Sequence, residues 1–173
     1  MDLFDAIDQR HSYRGVFKET AIPDNHLVKI VNAGIRAPSG CNAQTTDFVI
    51  ITDKQKIEDI GLLLKHDYIK TAQAIIVCVV TKENVIPGAS FEKEDCAAAV
   101  ENMLLAITAL GYATVWIDGS LRRDGRAKKI GAMINAPRKK QVEVILPVGV
   151  PVDKHEQKEK KPFDQRAWFD AYS

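Results

Sequence analysis

Two periods of apolar residues alternate along this chain, and the alternation predicts the fold class. Leu3, Phe4 and Ile7 share one face of a short helix over residues 2–7. Leu27, Ile30, Val31, Gly34 and Ile35 repeat that spacing in a second helix. Asp24 reads as its N-cap. Pro38 ends it, because the residue before a proline resists α geometry. Residues 48–51, rich in β-branched side chains, then read as a strand. Asp53 caps a helix marked by Ile57, Ile60 and Leu64. Residues 74–80 are an unbroken apolar run, the pattern of a strand buried on both faces. Residues 83–91, with Pro87 and Gly88, read as a loop.

The most apolar helix follows. Over residues 97–110 only Glu101, Asn102 and Thr108 are not apolar. A helix apolar nearly all round must be covered on most sides, so it lies centrally or under a partner subunit. Gly111 is its C′ residue. Residues 113–117 read as a third strand ending at Asp118-Gly119, residues 121–134 as a helix with a basic face, and residues 142–146 as a fourth strand. Past Pro151 the chain is charged, until Ala167-Trp168-Phe169 near the end. Strands alternating with helices imply an α/β or α+β sandwich. No internal linker appears, so residues 1–173 are expected to form a single domain.

Composition narrows the function classes. Hydrophobic residues at 46% and charged residues at 27% are globular usage and exclude whole-chain disorder. A net charge of +1 disfavours nucleic acid as a partner. The run at 74–80 falls far short of the roughly 20 residues of a membrane helix. Cys41, Cys78 and Cys96 are odd in number and widely spaced, so neither a disulfide framework nor a zinc site is expected. The start, Met1-Asp2-Leu3-Phe4-Asp5, is acidic and not followed by a long apolar core, so it does not read as a secretory signal, and a reducing cytoplasm fits best. His11, His26, His66 and His155 lack metal-ligand spacing, so no metal is expected. There is no G-x-G-x-x-G, no P-loop and no G-x-S-x-G elbow.

Three segments carry candidate chemistry. Arg10-His11-Ser12-Tyr13-Arg14 gathers two guanidiniums, an imidazole and a hydroxyl. That set suits a phosphate, since arginine binds it bidentately. It equally suits a solvated turn between helices. Pro38-Ser39-Gly40-Cys41-Asn42 pairs a close-approach glycine with an amide that can meet a heterocycle edge; it also reads as a plain helix-to-strand connection. Lys158 to Lys161 is a charged stretch of the kind usually solvated.

The ordered set of segments resembles the FMN-dependent nitroreductase family. The carriers are Arg10-His11-Ser12-Tyr13-Arg14, then Ala37-Pro38-Ser39-Gly40-Cys41-Asn42-Ala43-Gln44, then residues 98–111 running into Val115-Trp116-Ile117-Asp118-Gly119, and Leu146-Pro147-Val148-Gly149-Val150-Pro151. The resemblance implies an α+β sandwich with a central, mostly antiparallel sheet flanked by helices, and residues 97–110 as a dimer-core helix. It implies a homodimer with FMN at the subunit interface and the tail 152–173 packing on the partner. Arg10 and Ser12 would hold the flavin phosphate, beside His11, and Arg14 would reach the N1/O2 edge of the ring. Pro38, Ser39, Gly40 and Asn42 would come from the other subunit. Asp118 and Gly119 would lie near N5, Lys160 and Lys161 would be late phosphate ligands, and Lys65 is a further candidate. NADH or NADPH would supply two electrons by a ping-pong route, for a nitroaromatic or quinone acceptor. The flavin would carry the chemistry, with no side chain as an obligatory catalytic group. Ene reduction, dehalogenation, flavin fragmentation and non-enzymatic flavin binding are the alternatives on the same fold.

The chain departs from that pattern in places. It is short between Gly119 and Val142 and around residues 82–95, which implies an open site. Thr45-Thr46 follow Gln44 where many members have Pro-Trp. Glu159 stands two positions before Lys161, where the family often has another basic residue. Cys41 reads as an inert loop residue, Cys78 and Cys96 as core, and Trp116 as a strand-core aromatic.

Overall fold

The computed structural model describes residues 1–81 and 87–172. Its centre is a four-stranded sheet in the order β1 (Thr46–Ile51), β2 (Ala74–Thr81), β4 (Lys140–Gly149), β3 (Ala113–Thr114), with every neighbouring pair antiparallel. The sheet divides two apolar layers. On β2, Ile75, Val77 and Val79 face one way, and Ala74, Ile76, Cys78 and Val80 face the other. The first set packs with Ile57, Ile60 and Leu64 of α3 (Lys54–Leu64), Ile69 of α4 (Asp67–Lys70) and Ile130 of α6 (Arg126–Met133). The second packs with α2 (Asp24–Ile35) and α5 (Glu92–Ala109). The double burial read from residues 74–80 is thus realised. On β4 the period slips at a bulge, where Cys78 opposes Val144 but Val79 opposes Val142. The extra residue, Glu143, turns Val142 onto the α3/α6 side.

Asp2 caps α1 (Leu3–Gln9) with a full capping box, yet only Ala6 of this helix is buried. Its apolar face, Leu3, Phe4 and Ile7, points to solvent in the single chain. α2 starts one residue earlier than read. Pro23 takes the cap position, its carbonyl receives the His26 N–H at 2.8 Å, and Asp24 is already helical. α5 begins five residues before the apolar pattern, because its first turn is acidic: Glu92, Glu94 and Asp95 suit the positive end of the helix. It closes with Gly111 at φ +80°, whose N–H bonds Thr108 O, while Tyr112 N–H bonds Ile107 O. That is the Schellman pattern expected at Gly111.

Three further differences have local causes. The strand read at 113–117 keeps one register against β4, with Ala113 opposite Gly149, Thr114 opposite Val148 and Ile117 opposite Ile145, but its ladder is interrupted between. The helix read at 121–134 shrinks to α6, because Asp124 and Gly125 take φ +52° and +66°. The single turn α4 was not read at all. Of the loop read at 83–91, residues 83–86 lie outside the described residues, and Pro87-Gly88 form a turn. Among the described residues no helix is long and apolar enough to cross a membrane.

Candidate functional site

The segment after α1 leaves the helix in extended form and lies along the sheet's β3 edge. Ser12 bridges Thr114 in parallel, and Tyr13 N–H donates to Thr114 O at 2.8 Å. Tyr13 is fully buried. Its hydroxyl donates to Val16 O at 2.6 Å and accepts from Val152 N–H at 3.2 Å. Alternation along an extended strand then leaves Ser12 and Arg14 exposed on either side of it.

Arg10 is half-buried and its guanidinium makes a loose pair with Glu101 at 3.9 Å. The Arg10 carbonyl accepts from Gln157 Nε2 at 2.7 Å, and the same amide reaches Ile7 O at 3.0 Å. The start of the tail is therefore clamped on this chain's own Arg10 segment. The His155 ring adds to the clamp, edge-on to Tyr13 at 5.1 Å and tilted against His11 at 6.3 Å. His11 Nδ1 lies 2.9 Å from Gln9 O, an acceptor, so Nδ1 carries a proton. Nε2 is buried and has no hydrogen-bond partner among the described residues.

Arg14 stands beside the Tyr68 hydroxyl. Burial pushes the Tyr68 phenol above its usual value, against the pull of the Arg14 charge and hydrogen bond. Tyr68 therefore stays neutral. Lys65, exposed at a left-handed φ of 59°, ends α3 three residues before Tyr68. Asp118 and Gly119 follow the Ile117 bridge on the neighbouring strand segment. The Asp118 carboxylate accepts from Arg122 Nη2 at 2.7 Å, and Gly119 faces open space. Lys160 and Lys161 are exposed in the tail, with no ion-pair partner among the described residues.

Pro38, Ser39, Gly40 and Asn42 stand apart from this group. Their loop packs on the N-terminal turn of α5, where Gly40 N–H donates to Asp95 Oδ1 at 2.8 Å. Glu101, the neighbour of Arg10, is six residues further along the same helix, about 9 Å in rise. The loop borders a groove of about 400 Å³ floored by Gly34, Phe48 and Ala99. A single chain thus gathers Arg10, His11, Ser12 and Arg14 along one edge, near Lys65 and the strand that leads to Asp118 and Gly119. It leaves loop 38–42 outside, on the N-terminal turn of α5. Trp116 is partly buried against the α2/α5 layer, as read. Cys41 is exposed, while Cys78 and Cys96 are buried.

Sequence reasoning missed Tyr68, Asp95 and Gln157. Tyr68 lies 54 positions from Arg14 and Gln157 lies 147 from Arg10, so no local pattern links them. The only hint at Asp95 was an acidic first turn, which reads as an ordinary helix start.

A profile described as the nitroreductase family matches residues 7–82 and 62–150. An Archaeoglobus fulgidus protein named "Putative NADH dehydrogenase/NAD(P)H nitroreductase" is 30% identical over 146 residues, covering 83% of this chain and 82% of its own. A Methanothermobacter thermautotrophicus protein of the same name is 30% identical over 157 residues, covering 88% and 79%. Among solved structures, an FMN-dependent nitroreductase of Clostridium difficile superposes with a TM-score of 0.84 over 98% of this chain and 99% of its own, at 23% identity, a likeness of fold.

Proposed function

The chain belongs to the nitroreductase family, and from that premise we propose that it is an FMN-dependent oxidoreductase driven by NADH or NADPH. It passes two electrons to an electron-poor organic acceptor of the nitroaromatic or quinone type, by a ping-pong sequence. The observation that carries this reading is the β3 edge, which lines up Arg10, His11, Ser12 and Arg14.

These residues fit a flavin nucleotide. A phosphate needs cations and a hydroxyl, which Arg10 and Ser12 supply. His11 Nε2, buried and without a hydrogen-bond partner among the described residues, lies in the same segment. Gly119 leaves room for close approach of its backbone to a ring. When bound, FMN supplies two-electron exchange at N5. Arg10 and Ser12 hold the phosphate, with Lys160 and Lys161 closing on it from the tail and Lys65 adding charge nearby. Arg14, beside the Tyr68 hydroxyl, offsets negative charge at the N1/O2 edge. Asp118 and Gly119 serve the N5 side. Pro38, Ser39, Gly40 and Asn42 belong to the site across a homodimer interface, which accounts for their separation from Arg10 within one chain.

Exposed apolar surface supports the homodimer. Phe4 of α1 is 75% exposed, and Phe169 and Tyr172 of the tail are 84% and 86% exposed. Patches of this kind mark association surfaces. Each subunit is read as one FMN-binding domain, in a reducing cytoplasm that suits three free thiols. Light scattering behind a sizing column should return twice the 19.2 kDa chain mass; a monomer peak would remove the shared site.

The deciding experiment is a visible spectrum of the protein after loading with FMN and dialysis, followed by anaerobic NADH or NADPH and product analysis with nitrofurazone and menadione. Retained flavin bands that bleach with a nucleotide and recover with an acceptor support the oxidoreductase. Retained bands that never bleach leave a flavin-binding protein. Loss of flavin on dialysis removes the reading.

A further inference from the structure

We propose that Asp95 is a positioning residue that holds the loop 38–44 in its ligand-facing shape, an inference that rests on the reading of that loop as part of the flavin site. Asp95 lies in the first turn of α5 and is 6% exposed. Both carboxylate oxygens are spent on the loop. Oδ1 accepts from Gly40 N–H at 2.8 Å, and Oδ2 accepts from Thr45 Oγ1 at 2.7 Å. No cation pairs with Asp95 among the described residues. A buried carboxylate without a counter-ion is expensive to keep unless its hydrogen bonds are good, and here both are short and charge-assisted. The N-terminal turn of α5 favours the negative charge as well.

The segment between the two bonds has a conformation that needs such holding. Cys41, Asn42 and Gln44 take φ of 50°, 56° and 51°, left-handed values at non-glycine residues. Such backbone persists where its surroundings over-determine it. Asn42 N–H to Ser39 O at 2.9 Å, Ala43 N–H to Gly40 O at 3.0 Å and Gln44 N–H to Ser39 Oγ at 3.0 Å all lie inside the loop. Asp95 ties the loop to a rigid element. Gly40 allows this, since a Cβ there would meet the Phe91 ring at 2.5 Å. The result is a loop that moves with α5, presenting exposed Asn42 outward. Asp95 acts through the loop and touches no ligand itself.

Asp95→Ala and Asp95→Asn separate this role from a general structural one. Asparagine keeps the volume, accepts from Gly40 through Oδ1 and donates through Nδ2 to a Thr45 hydroxyl that can turn to accept. Alanine leaves both loop donors unpaired. Two readouts are needed: the Kd of FMN by fluorescence titration of the dialysed protein, and amide hydrogen exchange over residues 39–45. Asp95→Ala should speed exchange in the loop and weaken FMN about tenfold, while Asp95→Asn stays within about threefold of wild type. Exchange unchanged in Asp95→Ala overturns the positioning role. Faster exchange with wild-type FMN affinity overturns the loop's part in the site. Equal loss in both variants overturns hydrogen bonding as the cause, in favour of charge. Should Asp95→Ala not fold, Thr45→Val removes the Oδ2 bond alone and keeps the Gly40 N–H bond to Oδ1, and the same pair of readouts applies. Wild-type protein that binds no FMN defeats the functional reading, whereas the exchange arm still decides whether Asp95 holds the loop.

Discussion

Arg14 stands beside the Tyr68 phenol, whose titration burial pushes upward. Being exposed, Arg14 contributes little to folding, so Arg14→Ala should leave Tm nearly unchanged. On the proposed reading it should raise the Kd of FMN about tenfold, the worth of one charge-assisted contact. Fluorescence titration reads this directly, and wild-type affinity would remove Arg14 from the site. The cysteines divide just as plainly. Cys41 is exposed, whereas the Cys78 thiol is pushed well above the usual 9.0, first by its hydrogen bond with Cys96 and then by burial. Ellman's reagent should find one fast thiol in native protein and three after denaturation. A raised folded pKa means stability that is complete below about 9 and lost as pH climbs beyond it. Tm should therefore fall as pH is raised past about 9, and by less in Cys78→Val. An equal fall in both proteins would assign the alkaline loss to other groups.

At the scale of elements, Asp24 and Asp53 form a natural pair of controls. Both precede an apolar helical pattern, and both read as N-caps. Asp53 does cap, accepting from Lys56 N–H at 2.9 Å. Asp24 does not, because Pro23 occupies the cap and puts Asp24 inside the helix. Urea unfolding should show Asp53→Ala costing about 1 kcal/mol and Asp24→Ala only the few tenths of a helix-dipole contact; equal costs would contradict the difference. The same contrast explains what was legible in the sequence. Among the described residues, periodicity found five of the six α-helices and all four strands, because each buries a face whose spacing is local. The Arg10–Arg14 segment was legible too, being contiguous. What stayed hidden depends on distant partners or on backbone detail. The bulge at Glu143 leaves no mark on the period. Asp124 and Gly125 shorten α6 through φ alone. Asp95 finds its partners 55 and 50 residues away, and so reads as any acidic first turn.

The whole molecule is almost neutral, but its charge is unevenly spread. Between Gly119 and Gln141 there are eight lysines and arginines against a single aspartate, in a chain with a net charge of +1. Asp118, Asp124 and Asp47 meet Arg122, Arg126 and Lys140, while Arg123, Lys128, Lys129 and Lys139 stand exposed. A cavity of about 570 Å³ lies within this region, between α6 and the start of β4, and Leu121 and Arg122 join it to the Asp118-Gly119 turn. On the proposed reading, that turn flanks the ring that NADH or NADPH must reach. Both donors are anions, and NADPH carries one phosphate more. A local positive field raises the encounter rate of an anion and is screened by salt, with a Debye length of about 30 Å at 0.01 M and about 8 Å at 0.15 M. Over that range kcat/KM for NADPH should fall several-fold, more than for NADH, with kcat little changed. Varying uncharged menadione at saturating donor supplies the control, since its kcat/KM should be indifferent to salt. Equal salt response for both donors would mean that the third phosphate does not feel this face, and no response at all would place the donor's path elsewhere on the molecule.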